Sequence, residues 1–205
     1  MDDLLTWFSV CLSGIFAIIG GWIGGSIGGR YALKATQKAH ENQKNIADET
    51  EARIVKSLLQ AIHDELETVF DQYQETMGNR IEALEKNQPL AFYYPLASDF
   101  FSVYHGNTFL IGRVKDHDLR KAIIKTYSLA KGLLDSYKMN NDIIHKWEHW
   151  SLVFAETQME VHKIQAEAYR SSLINYAEVL KKMHEDVKVN LKETTRMLAL
   201  AGIFS

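Results

Sequence analysis

Hydrophobic and polar positions divide the chain into stretches with different periods. Leu4 to Gly29 holds no charged side chain. At 1.5 Å per residue this stretch makes a helix about 39 Å long, enough to cross a hydrocarbon core of about 30 Å. Residues 34 to 51 are polar apart from Ala35, Ala39, Ile46 and Ala47, which reads as a stalk: a solvated helix, a thin coiled coil or a disordered linker. From Ile54 the apolar positions recur every three or four residues through Leu58, Ile62, Leu66, Val69, Tyr73, Met77, Ile81 and Leu84, with Leu59 and Phe70 widening the stripe. That spacing predicts an amphipathic helix, and its mean step of about 3.7 favours straight bundle packing over a long left-handed coiled coil. Leu119, Ile123, Tyr127, Ala130, Leu134 and Tyr137 predict another helix, capped by Asp116 or Asp118. A further one is expected within 151–205 from Leu173, Tyr176, Leu180, Met183, Val187, Leu191 and Leu198.

Composition sharpens this picture. Seven of the 12 glycines and the single cysteine lie in the first 29 residues, and the only prolines are Pro89 and Pro95. One cysteine makes neither an intrachain disulfide nor a cysteine-based zinc site. Too few glycines and prolines follow residue 29 to punctuate a multi-stranded sheet. A net charge of -3 gives no bulk electrostatic reason to bind nucleic acid. The expected fold is therefore all-α: an N-terminal transmembrane helix, then long helices forming an elongated bundle or coiled-coil-like cytoplasmic domain. Its parts are a transmembrane helix over 1–31, a stalk and long amphipathic helix over 32–87, and an aromatic connector with helical bundle over 88–205.

The apolar stretch lacks a basic leader and an A-x-A-like cleavage site, so it reads as an anchor rather than a cleaved signal. Asp2 and Asp3 precede it, and Arg30, Lys34 and Lys38 follow; the positive-inside rule puts the N-terminus outside and the rest in the cytoplasm. A helix-interior glycine costs about 1 kcal/mol against alanine, so seven in one span need a reason. Gly20, Gly24 and Gly28 repeat every four residues, as do Gly21, Gly25 and Gly29, and Ser13 and Ala17 extend the small-residue stripe. Such series let backbones approach closely in lipid. With one span per chain, the partner must be another copy, so homo-oligomerisation through this seam is expected. The two series lie about 100° apart around the helix, which favours a ring over a simple dimer. Thr6, Ser9 and Ser13 give half the seam some polarity, leaving a conducting pore as the alternative to a packing seam.

Chemistry-bearing patterns are few. His63, Glu67 and Asp71 share one helix face, but a di-metal bundle needs a Glu-x-x-His pair from each of two helices, and a solvated face is the favoured reading. His145, Glu148 and His149 spell H-x-x-E-H, an inverted zinc-peptidase pattern; the match is short and lacks a defined third ligand. Arg113 and His117 stand one residue too close for the R-x4-6-H pattern of helical ribonucleases. No catalytic residue, metal or cofactor is assigned. Phe92, Tyr93, Tyr94, Phe100, Phe101, Tyr104 and Phe109 crowd the segment after Pro89; rings of about 150 to 250 Å² each read most simply as a packing knot, with Ser98 capping a helix through Ile111. Arg113, Lys115, Arg120, Lys121 and Lys125 form a locally basic strip, which either complements the acidic helix over 62–85 or faces solvent, or else docks anionic headgroups or an acidic cytoplasmic protein, with nucleic acid a minor option because no aromatics interleave it. The apolar tail from Met197 to Phe204 is expected to pack on a neighbouring subunit or touch the membrane.

The order of "SLLQAIHDELETVFDQY", "FYYPLASDFFSVYHGNTFLIGRV" and "DLRKAIIKTYSLAKGLLDSYKMNN" resembles a set of bacterial single-pass membrane proteins of uncharacterised function, over about residues 30 to 150. The resemblance implies an inner-membrane protein with a helical cytoplasmic domain, of a kind associated with mobile elements or phage defence, and brings no active-site residues. The expected function is a membrane-anchored, homo-oligomeric scaffold or sensor. A membrane-permeabilising effector is the alternative, and a metal-dependent hydrolase a distant third.

Overall fold

The computed structural model describes the backbone of residues 2–95 and 100–204 and, within them, all side chains except those of residues 2–20, 23, 24, 26 and 27. The described residues are all-helical, without a strand. Helix α1 spans Asp2–Tyr73 and passes into one π-helical turn, Gln74–Gly78; then follow α2 (Asn79–Glu82), α3 (Ser102–Gly106), α4 (Thr108–Ile111), α5 (His117–Thr157) and α6 (Glu160–Leu200). The chain divides into two compact units, Met1–Arg53 and Ile54–Ser205.

The first unit lies within α1. Residues 28–53 are helical and exposed throughout, so the polar stretch expected as a stalk is helix rather than a disordered linker. Among the described residues no helix is long and apolar enough to cross a membrane. The span expected over Leu4–Gly29 falls mostly on side chains outside the described residues, as do Ser13, Ala17, Gly20 and Gly24 of the seam. Gly21, Gly25, Gly28 and Gly29 are described; a Cβ placed on any of them meets nothing within 4 Å.

The second unit is built on an antiparallel hairpin. Helices α5 and α6 have 41 residues each, about 60 Å at helical rise, and Thr126 faces Thr194 as Ser136 faces Met183. On α5 the inward positions are Leu119, Ile123, Thr126, Ala130, Leu133, Tyr137, Asn140 and Ile144, then the half-buried Trp147, Ser151 and Phe154. On α6, Leu173, Ala177, Leu180, His184, Val187, Leu191, Thr194 and Leu198 face in. Steps of three and four alternate strictly, giving the seven-residue repeat of a coiled-coil seam. The seam thus differs from the all-apolar stripes expected. Thr126, Asn140, His184 and Thr194 take core positions, where each residue has a hydrogen-bond partner inside, although Asn140 Oδ1 is left without one. Tyr127 is also buried, but its hydroxyl turns toward α1, to Glu65.

Residues of α1 in this unit cover one side of the hairpin. Leu58, Ile62, Leu66, Tyr73, Met77 and Ile81 are buried against it, whereas Ile54 is exposed. Tyr73 meets Tyr137 on α5 and His184 on α6. Gly78 closes the π turn, where an added Cβ would press on the end of the Gln74 side chain.

Three local features depart from expectation. First, the helix expected from Ser151 begins only at Glu160, because α5 runs on to Thr157. The break is Gln158, at φ 54°, with neither glycine nor proline to announce it, and the Thr157 hydroxyl bonds His162 Nδ1 at 2.7 Å across the turn. Second, the helix expected through Ile111 is two short ones broken at Asn107; Ser98 lies outside the described residues, and the first amides of α3 are capped from α1, by Glu65, at 2.6 and 3.1 Å. Third, part of the tail packs on its own chain. Ile203 is buried, Gln60 Nε2 donates to its carbonyl, and Phe204 meets the His63 ring edge-on at 4.9 Å. The physical reason is that α1 leaves Leu58, Leu59 and Ile62 open at that end, and Leu198 and Ile203 close over them. Asp116 does cap α5, accepting from the amides of Asp118 and Leu119.

Candidate functional site

The densest polar cluster lies where α1, α2, α5 and α6 meet. Its parts are fixed by register: Tyr73 stands just before the π turn, Glu82 closes α2, Tyr137 occupies an inward position of α5, and His184 and Lys188 lie one turn apart on α6. Tyr73 Oη lies 3.1 Å from Tyr137 Oη and 2.9 Å from His184 Nδ1. On the other edge of the ring, His184 Nε2 is 2.9 Å from Glu82 Oε1, which also accepts from Lys188 Nζ at 2.6 Å. For a neutral imidazole one arrangement satisfies every group: Tyr137 donates to Tyr73, Tyr73 to Nδ1, and Nε2–H to Glu82. Only 1% of the His184 surface is exposed.

Electrostatics make this cluster a lock. Hydrogen bonds from Lys188 first, and then His184, hold the Glu82 carboxyl down at about 2. Burial, reinforced by the neighbouring Tyr137, pushes the Tyr73 phenol far up, and burial does the same to Tyr137. The phenols are therefore neutral donors at physiological pH and cannot act as bases. Among the described residues, Glu82, His184 and Glu185 are the one trio of His, Cys, Asp or Glu whose ligand atoms all lie within 4.8 Å of one another. The Lys188 ammonium already supplies the positive charge on Glu82, so the trio reads as an ion-pair network, with its imidazole oriented by Tyr73.

The zinc-like motif is placed differently. Tyr93, from the aromatic connector, donates to Glu148 Oε2 at 2.7 Å, and its oxygen lies 2.9 Å from His145 Nδ1. Partial burial and the Glu148 carboxylate push this phenol up to about 12. His149 lies beside Trp150, with ring centroids 5.2 Å apart. Tyr93 thus uses the first histidine and the glutamate to pin the connector to α5. Next to it, Asn141 takes up both backbone groups of Tyr94, and Asn140 Nδ2 donates to the Leu90 carbonyl. His63 is similarly local: its nitrogens lie 3.3 Å from Asp64 and 3.5 Å from Glu67.

The connector's rings pack as expected. Tyr104 stacks on Tyr127 at 4.0 Å, and Phe101 meets Tyr127 edge-on at 5.1 Å. Glu65 anchors this group, accepting from the Tyr127 hydroxyl at 2.7 Å. Behind the rings an apolar cavity of about 40 Å³ lies among Leu66, Phe70, Tyr94, Phe100, Leu134 and Leu191. A small-molecule site usually needs 300 Å³ or more. An open groove of about 450 Å³, lined by Asp64, Glu65 and Thr68, lies beside it.

The basic strip does not present one uniform face. Arg113 stands over the exposed Phe109 ring at 4.7 Å. Arg120 turns back to the loop, donating to the Val114 carbonyl and lying 3.0 Å from His117 Nδ1. Lys115, Lys121 and Lys125 are exposed. The buried network through His184 was not singled out from the sequence, because its members are 64 to 111 positions apart. The available signal was a histidine at a core position of a seven-residue repeat.

No protein-family model, no curated protein and no solved structure matches the chain.

Proposed function

We propose that the protein is a membrane-anchored, homo-oligomeric scaffold or sensor: a glycine-seamed helix holds copies together in a bacterial inner membrane, and a cytoplasmic helical bundle meets a protein partner. The observation that carries this reading is the use to which the polar side chains are put. The histidines, tyrosines and carboxylates with catalytic potential bond one another or the backbone across helices, and so fix a framework. Among the described residues the enclosed cavity behind the connector's rings is about 40 Å³, which fits a part that holds or recruits better than one that encloses a substrate. The charge-free stretch Leu4–Gly29 supports the anchor, and the open space over Gly21, Gly25, Gly28 and Gly29 suits a seam closed by another chain.

A membrane-permeabilising effector is the second reading, favoured by Thr6, Ser9 and Ser13 along the same stripe. Gly24→Leu tests both. A bulky side chain in the seam is expected to lower the mass of the detergent-solubilised particle; an unchanged mass would overturn the seam. Ion leakage on overexpression that disappears with the same substitution would favour the effector.

A further inference from the structure

The α5–α6 hairpin has two long sides, and among the described residues of this unit the contacts from α1, α2 and the connector fall on one of them. Tyr127, Asn141, His145 and Glu148 on α5, with Lys181 and Lys188 on α6, meet α1, α2 or the connector. On the opposite side, the contacts among the described residues run between the two helices: Ser136 donates to Met183 Sδ, Lys146 lies over the Tyr169 ring, and Trp150 meets His162. Met139, one seven-residue step from both Gly132 and Lys146, belongs to that side, as do Ile143, Tyr176 and Val179 by the same register. Met139 and Val179 are 55% and 47% exposed.

We propose that this uncovered side docks a second copy of the chain. The inference deepens the oligomeric reading and rests on it, but places a second interface in the bundle, apart from the glycine seam. Two observations select a copy as the occupant. The first is area. From Leu129 to Val153 the side is about 36 Å long and, across two helices spaced about 10 Å, about 20 Å wide. That is about 700 Å² per copy, close to the roughly 800 Å² per partner of a stable specific interface. The second is self-complementarity. A two-fold axis parallel to the hairpin lays α5 of one copy over α6 of the other. Because Thr126 is level with Thr194 and Ser136 with Met183, this places Met139 against Val179 of the other copy and Lys125 against Glu193, each pair occurring twice. Of the charges along this side, Lys146 is level with the neutral Ser172 and Asp186 with Gly132, so like charges do not meet.

Sedimentation of the full chain in detergent separates this interface from the seam. In a Gly24→Leu background a dimer is expected, and adding Met139→Glu with Val179→Glu should halve its mass to a monomer. Val189→Glu, equally exposed on the outer face of α6, should leave the dimer intact, and circular dichroism should show every variant helical. A monomer with Gly24→Leu alone, a dimer that survives both glutamates, or dissociation by Val189→Glu overturns the inference. The seam is judged separately, by whether Gly24→Leu lowers the mass below that of the wild type.

Discussion

The two halves of the hairpin follow one seven-residue register in different surroundings. In the half nearer the start of α5, inward positions from Leu119 to Asn140 are buried or nearly so, because residues of α1 complete a third side. In the half nearer the turn, the same register puts Trp147, Ser151 and Phe154 only half out of solvent, and Leu152 and Ile164 are exposed. The covered half can carry polar core residues because each has a partner within reach. In the other half Ile144, Ala166 and Leu173 are buried between two helices alone, and the inward side chains nearer the turn stay part exposed. Register fixes where a side chain points; how far it is buried depends also on what packs around it.

That contrast can be broken most severely by truncation. Leu180→Ala, at a fully buried position, should cost about 2–5 kcal/mol in chemical denaturation. Leu152→Ala should stay within about 0.5 kcal/mol. Equal losses would remove the distinction. Next comes Tyr73→Phe, which deletes the hydroxyl between Tyr137 and His184 and should cost about 1–3 kcal/mol, because it strands buried partners. Tyr169→Phe on the uncovered side should be nearly silent in the monomeric background.

The threonine pair gives a finer test. Thr126→Val leaves the Thr194 hydroxyl unpaired and should cost about 1 kcal/mol or more, whereas valine at both positions should recover most of it. Additive losses would show that the 2.8 Å bond between them contributes little. The smallest effect concerns acid. Glu82 is held below its ordinary value of 4.5, at about 2, so its contribution is present above pH 4.5 and is lost as pH falls toward 2. The stability gap between wild type and Glu82→Gln should therefore close over that window. A gap unchanged at pH 2 would contradict the assignment.

Much of the fold was legible because it rests on local periodicity. The stripe from Leu58 to Ile81 and the Asp116 cap follow from spacing and side-chain chemistry alone. The turn at Gln158 was not, since a residue that tolerates positive φ there is neither glycine nor asparagine. The true seam was partly hidden as well. Reading apolar residues only selects Leu134 and Met183 and passes over Asn140 and His184, whose burial depends on partners far away in sequence. His145 and Glu148 show the reverse error: a catalytic spacing on one helix gave no hint that Tyr93, 52 positions earlier, would bond both.

Native-state hydrogen exchange along α5 and α6 of the full chain tests most directly the proposal that a second copy docks on the side of the hairpin carrying Met139 and Val179. In the wild type both halves should be protected. With Met139→Glu and Val179→Glu, amides around residues 146–153 and 165–172 should exchange markedly faster, while those around 119–133, held by α1, keep their rates. Loss of protection in both halves together, or in neither, would contradict it.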